Sequence, residues 1–131
     1  MHNLSLANEA FANFIKMTET ALNNKAKTDP TKFSTQTASQ LEQLSVQCMK
    51  EICVNTPFRA DEIRLVSGLS FPDIVTETYY GVEVKSTQSD HWRSTGSSII
   101  ETTRNKKVES IYMLFGKLGG TPEVRCRPYQ E

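Results

Sequence analysis

Apolar side chains recur at helical spacing in two stretches of the chain and alternate with polar ones further on. In the first stretch, Leu4 to Leu22, the residues Phe11, Phe14, Ile15 and Leu22 share one face. This pattern predicts a helix, expected at the periphery of the core or packed on a partner subunit. In the second, Thr37 to Cys53, the residues Leu41, Leu44, Cys48 and Ile52 recur at spacings of three and four and form a single stripe. Thr37 or Ser39 is placed to cap this helix, and Asn55-Thr56-Pro57 to end it. Between the two, residues 23 to 37 are rich in Lys, Thr, Asn and Ser and contain Asp29-Pro30, which predicts a connector.

Short strand-like runs follow. Glu62 to Val66, Phe71 to Thr76 and Tyr79 to Ser86 are predicted strands. In the last of these Tyr80, Val82 and Val84 alternate with Gly81, Glu83 and Lys85. Ser94 to Arg104 predicts a short helix, Lys107 to Phe115 an apolar strand, and Glu123 to Arg127 a final strand returning antiparallel through Gly119-Gly120-Thr121-Pro122. From Thr37 onward the order is helix, three strands, helix, strand, strand. That order predicts an α/β (α+β) fold, a central mixed sheet of about four to five strands flanked by helices.

The 131 residues fit a single domain, with residues 1–36 as N-terminal helix and connector and 37–131 as the core. At 37% hydrophobic and 23% charged residues, the chain has the means to bury a core and is not of the disordered class. No apolar run approaches the roughly 18 residues of a membrane span, and Met1 to Lys16 lacks the form of a secretory signal. Cys48, Cys53 and Cys126 are odd in number and have no zinc-ligand spacing, so they read as free thiols in a reducing, cytoplasmic setting. The net charge is zero, but the charges are segregated. Residues 73–90 hold four acids and one base, whereas residues 91–127 hold seven bases and three acids. An acidic cluster followed by a basic stretch suits a metal site beside a phosphate-binding surface; ordinary solvated charge is the alternative.

The chemistry concentrates in the segments FPDIV and YYGVEVKST. Glu83 and Lys85 are two apart on a strand and so share a face. An antiparallel hairpin would bring Asp73 to them. Two carboxylates crowded together need a neutralising partner, either a hard cation such as Mg2+ or, with no metal, an ion pair with Lys85. A cation held there lowers the pKa of bound water and offsets the charge that develops on an attacked phosphodiester. Lys85 would orient or help deprotonate that water, or donate to a phosphate oxygen.

At these residues the chain resembles the PD-(D/E)xK nuclease superfamily and, within it, the type II restriction endonucleases, over about Thr37 to Phe115. The resemblance implies a restriction-endonuclease-like core and a magnesium-dependent endonuclease acting on double-stranded DNA. Asp73 and Glu83 match its metal-binding acids and Lys85 its catalytic lysine. Many members add a glutamate from the preceding helix. Glu51 is the first candidate for that role, Glu62 the second and Glu42 a weaker third. Asp90 to Ser98 follows the catalytic strand, and Arg93, Ser94, Thr95 and Ser98 are expected to contact DNA through hydroxyls, amides and a guanidinium. The alternative is a capped helix start with Trp92 anchored in the core. Arg104, Lys106 and Lys107 form a basic turn, and Arg125 and Arg127 alternate on the last strand, where they can grip the backbone or read guanine edges. Cutting both strands of a duplex calls for two active sites, so a homodimer is expected. Restriction enzymes of this type are usually longer, which leaves a compact enzyme, a fragment or a partner-dependent core. A repair or recombination nuclease and a non-catalytic DNA-binding domain are the other readings.

Overall fold

The computed structural model describes residues 4–66, 72–77, 79–92 and 110–129. Three helices lead the chain: α1 (Leu4–Thr28), α2 (Pro30–Ser34) and α3 (Ala38–Ile52). Two single turns of 3-10 helix follow, and then five strands: β1 (Ile63–Leu65), β2 (Ile74–Thr76), β3 (Tyr80–Thr87), β4 (Ser110–Lys117) and β5 (Glu123–Pro128). The strands form one sheet in the order β1-β2-β3-β4-β5. β3 and β4 run parallel and the other neighbours antiparallel. This is the expected mixed sheet with helices against it.

Local chemistry explains most element ends. Thr37 caps α3 with a full capping box: its hydroxyl accepts from the Gln40 amide at 3.1 Å, and the Gln40 side chain accepts from the Thr37 amide at 2.9 Å. The expected connector is shorter than its composition suggests. α1 continues to Thr28, and Asp29 caps a further turn in which Pro30 occupies the first helical position. Between β2 and β3 the chain reverses at Glu77, whose φ of 54° is left-handed.

The expectation that the first helix is peripheral is overturned. Phe11, Phe14 and Leu22 are fully buried, and α1 packs on α3, β4 and β5. The reason is aromatic: Phe11 stacks on Tyr80 at 4.5 Å between centroids, Phe14 on Phe58 at 5.3 Å, and Phe11 meets Phe58 edge-on. Small Ala7, Ala10 and Ala21 pack against the same cluster. Tyr80, Val82, Leu114 and Val124 reach this core from the sheet. Because side chains alternate along a strand, Glu83, Lys85, Met113, Phe115, Arg125 and Arg127 lie on the sheet's other face.

Two further features frame that face. Buried Lys117 has three acceptors for its three ammonium protons: the Asp90 carboxylate at 2.7 Å, Thr121 O at 2.8 Å and Gly119 O at 3.0 Å. The segment after β3 is thereby clamped to the β4–β5 turn. Gly119 sits so close that a Cβ there would run into the backbone of Gln88 to Asp90. Gly119→Ala is therefore expected to destabilise the protein by about 1–3 kcal/mol, read from urea unfolding. An unchanged midpoint would mean the clamp is loose.

Along the outer edge of β5, α1 supplies the missing partners. The Asn23 side chain exchanges two hydrogen bonds with Val124, accepting from its amide at 2.7 Å and donating to its carbonyl at 3.0 Å. Glu19 accepts from the Cys126 amide at 2.6 Å, and Pro128 has no amide hydrogen to offer. All three cysteines are free thiols.

Candidate active site

Asp73 lies one residue before β2 rather than within a strand, and that displacement explains its position. The β2–β3 register pairs Ile74 with Val82, so one further step sets Asp73 opposite Glu83. β2 does not continue to serve the Val84 amide. The Asp73 side chain takes over, its Oδ2 accepting from Val84 N at 2.9 Å. The Asp73 carbonyl also accepts from the Val66 amide at 2.7 Å, so the residue is held from both sides. Asp73 and Glu83 therefore stand on the same face of the sheet.

Glu83 is 6% exposed, deep for a carboxylate. One of its oxygens, Oε2, lies 3.0 Å from Lys85 Nζ. The other, Oε1, is buried and has no donor among the described residues. Burial pushes the Glu83 carboxyl up to about 7; the Asp73 charge and a carboxyl–carboxyl hydrogen bond to Asp73 add to the rise, and Lys85 pulls against it. An ion pair with Lys85 thus accounts for half of the carboxylate only.

The helical glutamate is the point at which geometry departs from expectation. Glu42, not Glu51, lies near enough to Asp73 and Lys85 to feel their charge. Its carboxyl is raised by burial and then by the Asp73 charge, and lowered by Lys85. Nine residues separate Glu42 from Glu51, about two and a half turns of helix, so the two lie on opposite sides of α3. Glu51 is exposed and lines a cavity of about 670 Å³ with Lys25, Lys32 and Cys48, formed by α1, α2 and α3. Glu62, the second candidate, is exposed in the turn before β1. If the acids hold a cation such as Mg2+, Glu42→Gln is expected to weaken its binding about threefold to tenfold, whereas Glu51→Gln leaves it unchanged. Isothermal titration of both variants checks this, and equal effects would remove the distinction.

Among the described residues, no three His, Cys, Asp or Glu side chains gather closely enough to make a metal cluster. The close acidic pair is Asp73 and Glu83, with Glu42 further out. Arg93, Ser94, Thr95, Ser98, Arg104, Lys106 and Lys107 lie outside the described residues. No family model, no curated protein and no solved structure matches the chain. The likeness to a nuclease therefore rests on the site residues alone. Among the described residues, no helix is long and apolar enough to cross a membrane.

Sequence reasoning missed two participants in this face. Trp92 was expected as a possible core anchor, yet it stands over the β4–β5 strands, with the Arg125 guanidinium 4.0 Å from its ring centre. Lys117, unremarked among the basic residues, is the buried cation that holds the segment carrying Trp92.

Proposed function

We propose that this protein is a magnesium-dependent endonuclease that hydrolyses phosphodiester bonds of double-stranded DNA. The observation that carries this reading is the buried Glu83 Oε1, which has no donor among the described residues and stands beside Asp73, on the sheet face that also bears Lys85. A buried carboxylate pair of this kind is costly when both members are ionised. Either a proton shared between Asp73 and Glu83 or a bound cation offsets that cost, and the cation is the one we propose.

The residues suit magnesium. Mg2+ is bound through one or two carboxylates and keeps several waters, so two acids suffice. Asp73 and Glu83 would hold it, with Glu42 reaching its outer waters. When bound, the ion supplies an acidified water and neutralises charge developing on the phosphate. The protein's own share is positioning and proton handling. Asp73 is fixed by the Val84 and Val66 amides, which sets the direction of its second carboxylate oxygen. Lys85 sits on the rigid strand β3, pinned to Glu83, where its ammonium can donate to a phosphate oxygen or to the attacking water. Nuclease action on both strands of a duplex calls for two such sites, which a homodimer provides. Restriction-type and repair-type nucleases share this chemistry and differ in whether they select sequence or structure.

The test is incubation of supercoiled plasmid with purified protein in Mg2+ and in chelator. Conversion to nicked or linear forms in Mg2+ alone is the expected result. Discrete linear fragments identify a restriction-type enzyme, and preferential cutting of branched or nicked substrates a repair-type one. DNA binding without cutting would replace the enzyme with a binding module.

A further inference from the structure

On the face that carries the acids, the strand registers align two rows of side chains. Glu83 stands beside Met113, and Met113 beside Arg127. Lys85 stands beside Phe115, and Phe115 beside Arg125. Each row thus begins at the candidate active site and ends, two strands away, at an exposed guanidinium. Two strand spacings amount to about 10 Å. That is on the order of three nucleotides of axial rise along one DNA strand.

Between the rows lies a small cavity of about 220 Å³, lined by Trp92, Met113, Phe115, Arg125 and Arg127. It is below the ~300 Å³ at which drug-sized pockets begin, a size suited to one planar ring system. Its floor is Phe115 and Met113, and its wall is the Trp92 indole, 5.8 Å from the Phe115 ring. The Arg125 guanidinium carbon lies over the indole, 4.0 Å from its ring centre, and the side chain is steadied by Glu123, whose carboxylate accepts from its Nε at 3.3 Å. The Lys117–Asp90 clamp holds the Trp92 segment against this floor. An aromatic wall, an apolar floor and guanidinium groups at the rim are the parts of a single-strand nucleic-acid subsite. The ring faces stack bases, and the guanidinium groups take phosphates or extend the stack.

We propose that the Trp92–Arg125–Arg127 cavity is a second DNA subsite, receiving an unstacked base and its phosphates from the strand leading away from the scissile bond. This inference deepens the nuclease reading and rests on it. It adds a substrate preference: a locally unpaired strand beside the cut binds better than a continuous stacked duplex, because only the former can offer a free base without the cost of unstacking.

Trp92 is the protein's single tryptophan, which makes the test direct. Oligonucleotides are titrated in chelator, so that nothing is cut, with Trp92 emission and the anisotropy of labelled DNA read in parallel. Binding of a single-stranded or frayed oligonucleotide is expected to quench Trp92 saturably, and a blunt duplex of equal length to quench it less. Arg127→Ala, which leaves the Trp92–Arg125 stack in place, is expected to weaken binding about fivefold to tenfold and to lower the salt dependence by about one phosphate contact. It should raise KM in Mg2+ while kcat holds, since Arg127 touches the flanking strand and not the reacting phosphate. Arg125→Lys keeps the charge but not the planar stack and should weaken binding while leaving the salt slope alone. The proposal is overturned if DNA binds by anisotropy and is cut in Mg2+ while Trp92 emission and the Arg127→Ala affinity stay unchanged. The nuclease reading would then stand with its DNA path elsewhere. No binding and no cutting would remove the nuclease reading itself.

Discussion

Lys85→Ala is expected to cleave plasmid DNA about 10²–10⁴-fold more slowly than the native protein while binding it with nearly the same affinity. The amine is one point charge among many that attract a polyanion, so its loss barely alters equilibrium binding. In the reaction it has a particular position. It is held 3.0 Å from Glu83 on β3, beside the acids that, on the proposed reading, would hold the cation where phosphate charge develops. Lys85→Arg is expected to restore little, because the larger planar guanidinium does not reproduce a compact ammonium. Single-turnover cleavage with enzyme in excess separates the chemical step from product release. If Lys85→Ala protein cuts within about threefold of the native rate, the amine is structural and the catalytic assignment fails.

The second large effect is on stability. In chelator, Glu83→Gln is expected to be more stable than the native protein above neutral pH, the reverse of what substituting a buried residue usually does. The native carboxyl is pushed up to about 7 by burial and by Asp73, from an ordinary value of 4.5 to which it returns on unfolding. Between those values the folded state holds a proton that the unfolded chain has released. Native stability therefore falls as pH rises from about 4.5 to about 7, and below that window the group is neutral in both states and costs nothing. The accumulated loss is on the order of 3 kcal/mol at about 1.4 kcal/mol per pH unit. Gln cannot ionise, so its urea-unfolding stability should stay flat across the window and exceed the native value by about 2–3 kcal/mol near pH 8. Added Mg2+ should raise the native Tm and leave that of Glu83→Gln nearly unchanged. A native protein equally stable at about pH 5 and about pH 8 would mean that Lys85 fully satisfies Glu83, and the physical argument for a cation would go with it.

These expectations depend on features that differ in how far local sequence determines them. The Thr37 cap is legible because its bonds are made within one turn of chain. Asp73, Glu83 and Lys85 share a face because strand alternation has a period of two, and an antiparallel register carries that parity from β3 to β2. Which helical glutamate lies nearer the acids was not legible. The apolar stripe Leu41, Leu44, Cys48, Ile52 suggests a helix turned one way, but the buried residues are Leu41, Ser45, Cys48 and Met49. Ser45 reads as a surface residue, yet its hydroxyl donates to the Leu41 carbonyl at 2.7 Å and enters the core with no polar debt. Glu42, Ser45 and Met49 follow at spacings of three and four, so burying Ser45 leaves Glu42 on the side of α3 within reach of the Asp73 and Lys85 charges and Glu51 on the other. The central place of α1 was hidden for another reason. Its partners, Phe58 and Tyr80, lie far along the chain, and ring stacking leaves no local periodic sign.

The hydrogen bonds that Asn23 and Glu19 make to Val124 and Cys126 also bear on assembly. With Pro128 completing the row, β5 offers no vacant amide along its outer margin at these positions, and the Val124 and Cys126 carbonyls are also taken, so an incoming chain finds little there to zip onto.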